Sequence, residues 1–320
     1  MKLRCPVSLI KKCDEITCMS KYFLFLLFIS VFQSAKLVAQ DTSDIMSMLE
    51  NEVMTAKEGG TDYTTATFKT TRLVNGHSVE NPGHGVLDVK ISHRFGMINE
   101  GAYALWGLDN ATMRMGLDYG LTPRMMIGIG RSTYQKTYDA FVKYKLLRQS
   151  TGKVNMPVTV SYVGTAGLNS LKWADPNRKN FFTSRLFFTH QLLIGSKFSE
   201  ETSWQIMPTL VHQNLAIGKD DPNDLLSIGF GGRQKLSRRV SFNAEYYYQL
   251  PKYKVQGTTD AFSVGFDVET GGHVFQLHVT NSRGMTEHLF ISQTNGSWGK
   301  GDLLFGFNIS RVFTVRNPKH

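Results

Sequence analysis

The chain has 320 residues, a formal net charge of +10 and 41% hydrophobic residues, enough for one large domain or two small ones. Residues 1–39 hold six Lys/Arg and two Asp/Glu, which leaves about +6 for the remainder. Those basic residues are spread through the chain instead of clustered with aromatics, a pattern that excludes nucleic acid as the expected partner.

The first element is a targeting segment. Tyr22–Phe32 is apolar except for Ser30, follows Lys21 and leads to Leu37-Val38-Ala39-Gln40. A basic flank, a short apolar run and a small residue make a secretory signal, so residues 1–39 are predicted to be cleaved after Ala39. Translation would begin at Met1 or Met19. Cys5, Cys13 and Cys18 all precede that cut, so the mature chain is expected to have no disulfide, no thiolate metal site and no lipidated cysteine.

Residues 40–85 read as a helix and linker, placed in the periplasm or in the lumen. Ile45, Met46, Leu49, Val53 and Met54 give Ser43–Lys57 near-helical spacing, with Asp41-Thr42-Ser43 to cap it and Gly59-Gly60 to stop it. Thr64–Val74 is strand-like in composition but alternates poorly, and residues 75–85 are rich in turn formers. His77, Glu80 and His84 lack the wider ligand set of a metal site, so no metal is predicted.

From Val86 the pattern changes to period two. Leu87, Val89, Ile91, His93 and Phe95 alternate with Asp88, Lys90, Ser92 and Arg94. Further runs start at Met113, Ile127, Tyr138 and Val158, then span Phe182–Ile194 and Trp204–His212. Four more follow from Leu226, Val240, Phe262 and Phe275, and the last is Asp302–Val315. Alternation marks strands whose two faces meet different solvents, and about ten residues is the length a tilted strand needs to cross a bilayer.

Twelve strands, an even number, predict an all-β fold: a transmembrane antiparallel up-and-down β-barrel over residues 86–315, with a tail at 316–320. Connections after the even strands are mostly short, and those after strands 1, 5, 7, 9 and 11 are long, with a loop expected over Ala166–Asn180. Short periplasmic turns and long outer loops would produce that asymmetry. Outward Phe95, Tyr138, Tyr162, Phe182, Tyr248 and Phe262 would form an outer aromatic girdle, and Tyr119, Trp204 and Phe313 an inner one. The expected location is the outer membrane of a Gram-negative bacterium, with its lipid as the first partner.

NGHSVE, ISHRFG, MRMGLDYGLTPRMMIGIGRS, QKTYDAFVKYKLLRQ and ETGGHVFQLHVTNSRGMTE carry a resemblance over residues 62–315. They resemble a β-barrel family of Bacteroidota defined as a domain of unknown function and placed in the outer membrane. The resemblance implies barrel, signal peptide and outer membrane. It implies no activity and no functional residues.

Inward parity nominates thirteen charged residues for the lumen: Asp88, Lys90, Arg94, Arg114, Asp118, Asp139, Lys143, Lys145, Arg185, Arg233, Glu245, Asp267 and Glu269. Charged rings in a narrow pore set permeation, so a porin-like pore or binder for small hydrophilic solutes is the leading expectation. The basic excess leans toward anions. Cross-strand pairing that locks the lumen shut is the opposing one, giving a closed structural or interaction barrel that docks a periplasmic or surface protein. Haem or metal capture is a third, although no cofactor is predicted. No G-x-S-x-G, H-E-x-x-H or paired-carboxylate site occurs, so no catalytic residue is expected and the chain reads as a non-enzyme.

Overall fold

A computed structural model of the protein describes residues 60–173 and 175–316. The signal segment, its cysteines and the Ser43–Lys57 helix lie outside the described residues. Twelve strands run in sequence: β1 Val86–Met97, β2 Ala111–Gly120, β3 Met125–Ser132, β4 Thr137–Leu147, β5 Thr159–Asn169, β6 Leu186–Lys197, β7 Thr202–Gln213, β8 Asp224–Lys235, β9 Val240–Gln249, β10 Ala261–Thr270, β11 His273–Thr280 and β12 Leu304–Thr314. Each pairs antiparallel with its neighbours in sequence, and β12 closes on β1 through Phe313 opposite Leu87. This is the twelve-stranded up-and-down barrel that period two predicts.

Alternation explains the closure. Along β4, Thr137, Asp139, Phe141 and Lys143 are buried while Tyr138, Ala140, Val142 and Tyr144 are exposed. A strand so divided needs lipid on one side and filling on the other, and closing the sheet leaves no unpaired edge in the bilayer. Outward aromatics pair across strands, as Phe242 does with Phe266 at a 5.3 Å ring separation.

Several boundaries differ from the sequence reading. β5 continues to Asn169, into the segment expected as a loop. The next strand begins at Leu186, because Phe182–Arg185 is a 3₁₀ turn, so Phe182 sits in a connection and not on a strand. The alternation of short and long connections also fails once. The β3–β4 connection, on the long-loop side, is only residues 133–136, whereas the β4–β5 connection is longer and carries Ser150–Gly152, which pairs with Thr61–Tyr63. That pairing anchors the chain where it enters the barrel.

Residues 64–85 do not form the strand-like element their composition suggested. They enter at the short-turn end and fold into the lumen as an irregular hairpin, whose one bridge joins Arg72 to His77. From the other end, the β11–β12 loop folds inward as well. Its helix α1 (Glu287–Ser292) has all six residues buried.

Candidate functional site

The lumen wall is polar on every side, with an apolar cluster set into it. Met126, Phe141, Val163, Leu193, Met207, Val211, Leu225 and Tyr247 of β3–β9 pack against Phe68, Leu73 and Val79 of the hairpin and Phe290 and Ile291 of α1. Buried polar residues flank them on the same strands, among them Lys143, Gln205, Arg233 and Glu245, and continue across β10–β12, β1 and β2. A lumen filled this way behaves as a protein core, and each fully buried Leu, Val or Phe contributes about 1.5–3 kcal/mol.

The hairpin tip is held through its backbone. Glu245 on β9 accepts the N–H groups of Asn75 at 2.7 Å, Gly76 at 3.1 Å and Val74 at 3.2 Å. A carboxylate facing three convergent amides makes charge-assisted hydrogen bonds, the strong kind. The side chain of Asn75 donates to Ser263 Oγ at 2.9 Å and accepts from Arg94 at 2.6 Å. Gly76 is obligatory here, since a Cβ would lie 1.8 Å from the Tyr247 hydroxyl oxygen.

Wall cations take the hairpin's carbonyls. The Lys143 ammonium donates to Glu80 O at 2.6 Å, Ser78 O at 2.9 Å and Thr71 O at 3.3 Å. Arg233 donates to Ala66 O at 2.9 Å and Thr67 O at 3.2 Å. Lys145 pairs with Glu80 at 3.6 Å, and Lys69 pairs with Glu269. Asp118 accepts the Thr71 hydroxyl at 3.0 Å. Lys90 sits 3.3 Å from Asp88 and 4.0 Å from Asp118, Arg114 forms a fork on Asp139, and Asp267 accepts from Gln276 at 2.5 Å. Between hairpin and wall, one cavity of about 20 Å³ is lined by Arg72, Lys90, Gln276 and Asn308, room for roughly one water.

Of the thirteen nominated positions, Arg185 is misplaced. It lies in the 3₁₀ turn before β6, stacks 3.9 Å over the Trp173 ring and donates to the carbonyls of Asn169 and Leu171. Strand parity does not apply to a turn. The other twelve split evenly by sign, so they give no preference for anions. Uncharged wall residues hold the hairpin as well. Gln205 donates to His77 O at 2.7 Å and accepts from Val79 N at 2.8 Å, Gln276 donates to Leu73 O at 2.6 Å, and Asn308 donates to Val74 O at 3.0 Å. Their inward parity is readable in the sequence, but a neutral amide carries no charge to single it out among the other polar inward residues.

The hairpin and α1 meet at one buried ion pair. Arg72 Nη1 donates to Glu287 Oε1 at 3.0 Å and to Asn75 O at 2.9 Å. His77 lies 3.6 Å from the same carboxylate, but burial and the nearby Arg72 and Lys143 hold its imidazole well below the ordinary histidine range, so it is neutral and makes no ion pair. His77 packs instead on Phe141, with ring centroids 4.5 Å apart. Its sequence companion His84 binds Leu121 O at 2.7 Å, and Glu80 accepts Thr67 N at 2.7 Å, so the three groups serve separate contacts. On α1, His288 stacks on Phe187 at 3.8 Å and its Nε2 lies 3.2 Å from Gln213 Oε1; burial lowers its pKa to about 3.

Among solved structures, the chain is similar to the NanC porin, with 10% identity, a TM-score of 0.44, and coverage of 71% of this chain and 98% of that one. It is also similar to the KdgM porin, with 8% identity, a TM-score of 0.43, and 71% and 99% coverage. A third is the COG4313 outer membrane channel from Pseudomonas putida F1, with 12% identity, a TM-score of 0.44, and 73% and 97% coverage. No curated protein matches the chain. A family model described as a membrane bound beta barrel domain matches residues 68–313, from the lumenal hairpin to the end of β12, and the chain belongs to that family, DUF5777.

Proposed function

We propose that the protein is an outer-membrane barrel, closed at rest, that passes or binds a small hydrophilic solute when the hairpin leaves the lumen. One observation carries this reading: the wall holds the hairpin's backbone with groups that water can replace. Lys143, Arg233, Glu245, Gln205, Gln276 and Asn308 bind peptide N–H and C=O groups, and each is hydrated once the hairpin withdraws. The emptied lumen would remain wettable along these groups, as a permeation path requires. The short-turn end, where the hairpin enters, is assigned to the periplasm and the long loops to the cell exterior.

The apolar cluster favours a second reading. Phe68, Leu73 and Val79 are held in a core that keeps the resting barrel shut, as suits a closed barrel that docks a partner protein. Planar-bilayer conductance of the refolded chain separates the two. The channel reading expects rare openings in the wild type and many more in Glu245→Gln. Silence from both, in folded protein whose Val74–Gly76 amides exchange freely in the variant, would leave the docking barrel.

A further inference from the structure

The lipid-facing wall is not uniform. Over β2–β6 it carries a groove of about 660 Å³, within the range of roughly 300–1,000 Å³ that single small ligands occupy. Its floor is formed by Ala140 and Ala166, direct cross-strand partners that both point outward. Leu117, Ile129, Leu168 and Leu186 rise around them. Other stretches of the same face present large partners, such as Phe242 and Phe266, and a second recess, around Pro208, is smaller at about 330 Å³.

One cation closes the groove at its long-loop end. Arg131 is exposed on the outer face, and Tyr138, its cross-strand partner, positions it. Arg131 Nε donates to the Tyr138 hydroxyl at 3.1 Å, and its guanidinium carbon lies 5.5 Å from that ring centroid. Among the described residues no carboxylate pairs with it. A tyrosine at this height marks the headgroup level, where a guanidinium binds phosphate oxygens in a fork.

We propose that this groove binds one phosphate-bearing lipid of the surrounding leaflet, its acyl chain on Ala140 and Ala166 and its phosphate on Arg131. Charge complementarity selects this occupant. A second copy of the chain docking by the same face would bring another Arg131, a cation against a cation, instead of an anion.

The test uses the full chain folded in mild detergent, with folding checked by heat-modifiable gel mobility. The barrel is exposed to phosphatidylglycerol vesicles, or to vesicles of an uncharged glycolipid with the same chains, and bound lipid is counted by native mass spectrometry. One phosphatidylglycerol per barrel is expected to survive detergent exchange, with about tenfold weaker retention in Arg131→Gln and none in Ala140→Phe. Millimolar inorganic phosphate should not displace it. Equal retention of the two lipids, unchanged retention in Arg131→Gln, or displacement by phosphate would overturn the proposal. So would a wild-type dimer that Ala140→Phe makes monomeric. If Ala140→Phe does not fold, Ala166→Leu fills the same floor and Arg131→Gln decides independently.

Discussion

Glu245→Gln tests whether the hairpin is an insert that can be released from an intact barrel. The carboxylate accepts three N–H groups, Asn75 on one oxygen, Val74 and Gly76 on the other. Glutamine keeps one oxygen. Whichever way the amide turns, its NH₂ faces one or two buried donors, so one or two bonds are lost and the tip is left with unsatisfied N–H groups. A hydrogen bond to a charged group is worth about 1.5–3 kcal/mol, and a buried donor left alone costs about 1–3 kcal/mol. Relief from burying a charge offsets part of this, and about 3 kcal/mol remains as a working figure, roughly a 150-fold rise in the released population. Hydrogen exchange read by mass spectrometry should show that acceleration at Val74–Gly76, with strand amides of β1–β12 unchanged. Exchange at the tip within threefold of wild type would refute the argument, because the carboxylate would then not be what holds the hairpin.

Four further outcomes are expected. Gly76→Ala drives a Cβ into the Tyr247 hydroxyl and should lift the tip by about 1–3 kcal/mol of overpacking, seen as the same local exchange signature. In a double-mutant cycle, Arg72→Met and Glu287→Gln should each loosen the contact between hairpin and α1 by about 3–5 kcal/mol, and together by much less than the sum, since the pair then leaves no charge behind. Acidification should undock α1. His288 is held near pKa 3 while a released histidine titrates near 6.5, so the docked loop binds fewer protons and its stability falls as pH drops from about 6.5 toward 3, by about 1.4 kcal/mol per pH unit. His288→Phe should flatten that dependence in pH-resolved exchange of residues 287–292. Finally, Asn75→Cys with Ser263→Cys, at side chains that now meet at 2.9 Å, should silence conductance when oxidised and restore openings on reduction.

The barrel was legible because each strand carries its own evidence. A run such as Val240–Gln249 alternates in burial over its whole length, and twelve such runs, an even number of membrane-crossing length, fit a closed up-and-down barrel. The lumen's contents were not legible, for a different reason. Thr64–Gly85 has Phe68, Leu73, Val74 and Val79 at no regular spacing, because an irregular hairpin surrounded by wall meets apolar and polar neighbours on every side. Asn75-Gly76 was readable as a turn, but a turn signal does not say whether it points to solvent or into a barrel. Helix α1 is six residues, too short for a 3.6-residue period to show. Arg185 lies outside the lumen because the strand begins at Leu186, four residues after the Phe182 at which the apolar run starts. Met126, Val163, Leu193 and Met207 mark the deeper limit: an apolar residue at an inward position looks like a break in the alternation until the inserts that cover it are known.

The two solvents of the barrel wall also decide what can move. The outer face needs lipid everywhere, so no strand can leave without exposing peptide groups to hydrocarbon. The inner face is under no such constraint. Its partners are the hairpin and α1, and where it is polar water is an adequate substitute for either. Withdrawing the hairpin therefore breaks the bonds at Glu245, Lys143, Arg233 and the wall amides and exposes Phe68, Leu73 and Val79, but it removes no strand-to-strand hydrogen bond. The barrel and its inserts are separable in energy although they share one interior. This is why substitutions at the tip should change exchange and conductance locally while leaving the heat-modifiable barrel intact. It is also why the contact between Arg72 and Glu287 matters beyond its own strength: releasing one insert breaks this ion pair, so it should also lower the free-energy cost of releasing the other.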